Sequence, residues 1–168
     1  MNFELKIMSR EAIPAALEKA HRYRLLNEPE QAESICEDVL RLDPENQSAL
    51  ASLILALTDR FGHLRAVPAW KVRNLLPRLH GEYERTYFAG IIVEREGIAR
   101  MRSGQPGNGE AAFVCFREAM AHYEKAESLS PPANNDALLR WNSCARMIMN
   151  HPDVAPFEEI AACHDTGD

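Results

Sequence analysis

The sequence predicts an all-α protein, an α-α superhelix of about four antiparallel helix pairs. Three observations carry this reading. Small or apolar residues at Phe116, Ala119, Met120, Tyr123, Ala126 and Leu129 recur three and four apart, as one helix face requires, and the run stops at Pro131 and Pro132. The same design occurs from Gln31 to Pro44, where Ala32, Cys36, Val39, Leu40 and Leu42 take the corresponding places. In both copies the step from the small residue to the next anchor is four positions, and from there to the closing proline eight. Finally, an aromatic content of 7% and few β-branched runs argue against a sheet.

Taken in order, residues 1–11 read as an N-terminal arm, with slight alternation at Phe3, Leu5 and Ile7. Ser9 is a candidate cap for a first helix over Ala12 to Leu26, in which Pro14 falls where the first turn tolerates it. Asn27 to Pro29 makes the turn, and Pro29 opens a second helix to Leu42. Gln47 to Thr58 is apolar nearly all round, the pattern of a helix packed on both sides. A fourth helix is expected over His63 to Leu76, with Pro68 near its start and Pro77 at its end. Glu82 to Arg102 reads as a long fifth helix, and the glycine-rich stretch 103–109 as a flexible connection. The Phe116 helix follows, starting at Glu110 or Ala111. Asn134 or Asn135 then caps a seventh helix from Asp136 to about Met149, closing a repeat domain over 12–150. Residues 151–168 read as a capping segment, with a short helix from Pro156 to Cys163, and a disordered tail.

Bulk properties narrow the function. A chain of 168 residues suits one domain burying roughly 70% of its unfolded surface. A net charge of −6 opposes a nucleic-acid backbone and an anionic membrane surface. No apolar run approaches the roughly 18 residues of a membrane span, and no basic-then-apolar leader opens the sequence. The expectation is a cytoplasmic protein with no nucleic-acid and no membrane partner. Cys36, Cys115, Cys144 and Cys163 lie far apart without a C-x-x-C pair and read as buried thiols, so neither metal nor cofactor is expected. The six histidines have no nucleophile or carboxylate at a recognisable spacing, which points away from an enzyme. Gly104, Gly107 and Gly109 invite a small-ligand or nucleotide site, but no strand precedes them, the spacing is not G-x-G-x-x-G, and no P-loop lysine follows.

The closing prolines, a period of 33 residues from Pro44 to Pro77, and the small-residue and aromatic pairs Ala20/Tyr23 and Ala119/Tyr123 together resemble the tetratricopeptide repeat. Ala32, Cys36, Leu40, Leu42 and Pro44 follow its second-helix pattern, and Ala119, Tyr123, Ala126, Leu129 and Pro131 follow it better. The repeats are degenerate: the first-helix tryptophan and leucine are missing, and Arg65 or Ala66 stands where a small residue belongs. From Pro77 to Pro131 the spacing is 54, one repeat plus about twenty residues.

The resemblance implies a concave face lined by the first helix of each pair, and a non-catalytic adaptor that binds a protein or peptide segment there. Transferred by phase, its groove residues are His21, Arg24 and Leu25 in the first pair and Leu55, Thr58 and Asp59 in the second. Tyr87, Ile91, Glu94 and Arg95 follow in the third, and Leu139, Ser143, Arg146 and Met147 in the fourth. Each also has a plainer role, as core for the apolar residues and as solvated surface for the charged ones. Asn142 and Arg146 have the one-turn spacing with which some members grip a terminal carboxylate, but the neighbouring lysines are absent. The rival reading is structural, a weak homodimer formed through Trp70 or the Phe157 segment. Trp141 is expected to pack between the third and fourth pairs.

Overall fold

The computed structural model describes residues 3–63 and 66–156 and is helical throughout, with no strand among them. Among the described residues seven α-helices form: α1 (Ile13–Leu25), α2 (Pro29–Leu42), α3 (Gln47–Asp59), α4 (Ala69–Arg73), α5 (Glu82–Ser103), α6 (Asn108–Leu129) and α7 (Asp136–Asn150). Short 3₁₀ turns at Arg10–Ala12 and Leu76–Arg78 complete the set. The helix expected over Pro156 to Cys163 and the tail beyond it lie outside the described residues, apart from Pro156 itself.

Boundary chemistry explains most of these limits. Proline opens both α1 and α2, where a missing backbone donor costs nothing. Asn46 caps α3 through its side chain, accepting from Ala49 N at 2.9 Å. Ser9 does not cap with its side chain; its carbonyl instead accepts from Ala12 N to start the 3₁₀ turn. At α7 it is Asn134, one residue before the N-cap position, that accepts from Asp136 N at 3.0 Å.

Helices α1 and α2 run antiparallel, as do α5 and α6. Arg10 Nη2 donates to Leu42 O, joining the start of α1 to the end of α2. Along α5 and α6, Glu82 meets Lys125, Glu94 meets Tyr123, and Gly97 meets Ala112 and Phe116. One core runs from Ala20 in α1 to Val154 beyond α7. Its centre is α3, where Ala49, Leu50, Leu53, Ile54, Ala56 and Leu57 are all buried, the two-sided packing that its sequence predicts.

The fourth helix is the clear departure. Among the described residues of the stretch expected to be helical from His63 to Leu76, only Ala69–Arg73 is α-helical, and Pro77 sits inside the 3₁₀ turn and not after a long helix. Two prolines account for this. Pro68 biases the residue before it away from the helical region, and Pro77 lacks the N–H that would bond back to Arg73. The helices therefore form two full hairpins, α1/α2 and α5/α6, with α3 backed by the short α4, and α7 standing last among the described residues.

The glycine-rich stretch is shorter and better defined than its composition suggests. α5 runs to Ser103 and α6 starts at Asn108, leaving four residues between them. Gly104 and Gly107 have φ of +61° and +81°, the left-handed region that only glycine enters freely, so the pair builds a tight helix-helix turn.

Gly109 has a different duty. A Cβ there would lie 1.9 Å from Asp153 O, because residues 151–156 fold back over the start of α6 and bury Val154. Gly109→Ala is therefore expected to lift this segment and cost roughly 1–3 kcal/mol, the worth of one buried aliphatic side chain. Urea denaturation measures the loss, and faster amide exchange near Val154 locates it.

Candidate functional site

Four helices, α1, α3, α5 and α7, carry all the residues transferred from the repeat pattern, and polar bonds tie these helices to one another. On α1, Arg24 donates from Nε to Asp59 Oδ2 of α3 at 2.8 Å. The other Asp59 oxygen, Oδ1, faces Arg95 Nη2 of α5 at 3.5 Å. Arg24, Asp59 and Arg95, 71 positions apart at the extremes, thus form one triad. All three are mostly buried, with 16%, 18% and 27% of their side chains exposed.

A second knot joins α5, α6 and α7. Glu94 is buried; its Oε2 accepts from the Tyr123 hydroxyl at 2.5 Å and its Oε1 from Arg140 Nη1 at 2.9 Å. Burial works against the Arg140 charge, but Glu94, Tyr123 and Tyr87 together outweigh it and hold the guanidinium's pKa above its ordinary value. Burial, then the Glu94 charge, pushes the Tyr123 hydroxyl upward, so it stays protonated and donates. Tyr87 stacks nearly parallel on Tyr83, with ring centres 5.7 Å apart, and lies 5.9 Å from Tyr123. Burial raises the Tyr87 hydroxyl as well, against a hydrogen bond to Arg140.

The transferred positions divide by burial. His21, Leu25, Leu139, Ser143 and Arg146 are exposed. Leu55, Tyr87 and Met147 are half-buried against the core. Ile91 and Thr58 are corrections to the groove reading: Ile91 is core, and Thr58 is buried with its hydroxyl bonded to Leu55 O. Glu94 is a correction too, since both its oxygens are used inside the molecule. These three cannot meet a partner.

Arg140 and Tyr123 were not among the candidate groove residues. A signal for them existed. Glu94 ends the apolar run Ile91-Ile92-Val93, and a carboxylate at that depth requires a cation and a donor from other helices. Trp141 packs against the core and donates from Nε1 to Glu124 at 2.9 Å, between α6 and α7 as its sequence suggests. Trp70 is 64% exposed.

Burial pushes the Cys36 thiol up to about 11 and the Cys144 thiol up to about 12, so both stay neutral and unreactive. Among the described residues no cluster of three or more His, Cys, Asp or Glu could hold a metal ion. Nor is any helix among them long and apolar enough to cross a membrane. A cleft of about 460 Å³ is walled by Leu40, Leu53, Leu57 and Leu75 together with the charged Glu33, Glu37, Arg41, Lys71 and Arg78.

No protein-family model matches this chain, and neither a curated protein nor a solved structure is significantly similar to it. The arrangement of residues therefore carries the functional reading alone.

Proposed function

We propose that the protein is a non-catalytic adaptor of tetratricopeptide-repeat type, which binds a peptide or protein segment across the face shared by α1, α3, α5 and α7. One observation carries this reading. Side chains from the alternate helices α1, α3 and α5 converge on Asp59, and α7 is tied to α5 through Arg140, so polar bonds link all four helices. Such linkage supports a continuous binding face of the kind that stacked helix pairs form.

On these helices, His21, Leu139, Ser143 and Arg146 are exposed and Tyr87 is half-exposed, giving arginine, aromatic and aliphatic contacts of the kind that anchor peptides. The test is affinity capture from the native source with wild-type protein and with Arg24→Ala/Tyr87→Ala/Arg146→Ala, identifying retained proteins by mass spectrometry. A specific partner held by the wild type and weakened at least about tenfold in the variant is expected. Equal retention by both, with the variant's helicity intact, refutes the assignment.

A further inference from the structure

We infer that residues 3–7 are a pairing strand for a second copy of this chain, the two arms joining antiparallel about a two-fold axis at Leu5. Phe3, Leu5 and Ile7 are large apolar side chains, and all three are well exposed. On an extended chain they share one face, while Glu4 and Lys6, also exposed, share the other. Among the described residues, no hydrogen bond uses the backbone of residues 3–8. A row of open N–H and C=O groups beside an apolar face is a template for a strand from another chain.

The order of the residues marks a second copy as that chain. With two antiparallel arms centred on Leu5, Phe3 of one faces Ile7 of the other, Glu4 faces Lys6, and Leu5 faces Leu5. Every pair is then favourable: an aromatic on a β-branched side chain twice, opposite charges twice, and leucine on leucine at the axis. The neighbouring registers fail. Centring on Glu4 or on Lys6 sets like charges face to face, as does parallel pairing in register. A slip of one residue puts apolar side chains opposite charged ones. A patch complementary to itself is what an isologous two-fold interface needs.

Lys6, Ile7 and Met8 share a small pocket with Asp38, Arg41 and Leu42 of α2, which anchors the root of the arm. A two-stranded ribbon needs its apolar face covered. The leucine-walled cleft adjoins that root, since Arg41 lines both. The arm lies against α2, outside the face of α1, α3, α5 and α7, so the pairing stands or falls apart from the adaptor reading.

Sedimentation equilibrium of the whole chain over a range of concentrations is the test. The wild type is expected to show a reversible monomer–dimer equilibrium. Glu4→Lys and Lys6→Glu each bring like charges together and should weaken the dimer at least about tenfold. Mixing the two single variants restores opposite charges in a heterodimer, and the exchange Glu4→Lys/Lys6→Glu restores them in a homodimer. Both should recover wild-type association, a gain that misfolding cannot produce. Leu5→Asp, which sets two carboxylates at the axis, should leave only monomer with its helicity intact. A wild type that stays monomeric at the highest concentration reached overturns the inference. So does a dimer unmoved by the single variants or by Leu5→Asp, and so do single-variant losses that neither mixing nor exchange recovers.

Discussion

Arg140→Ala is expected to lower the unfolding free energy by about 3–5 kcal/mol, the range for removing one partner of a buried ion pair. The reason is what remains behind. The Glu94 side chain is only 5% exposed, so without Arg140 its charge stays in the core with the Tyr123 hydroxyl as its one remaining partner. Urea denaturation should show a lower midpoint at an unchanged slope. The double variant Glu94→Gln/Arg140→Met should recover most of the loss, because glutamine still accepts from Tyr123 and no unpaired charge is buried. A single variant as stable as the wild type would mean that the Glu94 pocket is open to water.

Gly90→Ala is the second large effect, and it runs against helix propensity. In an exposed helix interior the change stabilises by roughly 0.5–1 kcal/mol. Here the added Cβ lies 2.7 Å from Tyr123 Cε1. Tyr123 is fully buried and its hydroxyl is held by Glu94, so the ring cannot swing aside. The expected outcome is a net loss of about 1–3 kcal/mol from overpacking, read from thermal or urea unfolding.

Gly97, seven residues on along the same seam, is the internal control. A Cβ there would meet Cys115 Cβ at 3.1 Å and Phe116 Cε1 at 3.2 Å, tight but not prohibitive. Gly97→Ala should therefore be nearly neutral. If the two variants behaved alike, the close approach of α5 and α6 at Gly90 would be wrong.

Both predictions concern the part of the molecule that periodicity describes best. The apolar spacing of α6 identifies Ala119, Tyr123 and Ala126 as the inward face, and all three are buried. The limits of α2, α5 and α7 fall within a residue or two of where proline, glycine and asparagine signals put them. Failure came where local signals conflict. The stretch from His63 to Leu76 has helical spacing, but two prolines nine positions apart leave room for little more than one turn of α-helix. The glycine-rich stretch resembles a loose linker by composition, yet the flanking helices consume most of it.

The candidate site divides in the same way. The positions that the tetratricopeptide resemblance implies include Arg24, Asp59 and Arg95, which the structure joins through ion pairs. The resemblance did not distinguish a carboxylate on the implied face from one beneath it, so Glu94 was placed with the exposed residues. The depth of a side chain depends on how neighbouring helices tilt and approach, and Gly90 lets α6 come close enough to cover it.

The sequence by itself determined the helical class and the positions of most helix ends, since each follows from short-range periodicity and from what proline and glycine forbid. Only the tertiary structure decided how the charges are allotted, with Glu94 matched to Arg140 and Tyr123 and Asp59 divided between two arginines. Those partners lie 29 to 46 positions apart, and which of them meet depends on interhelical distances that no local pattern encodes.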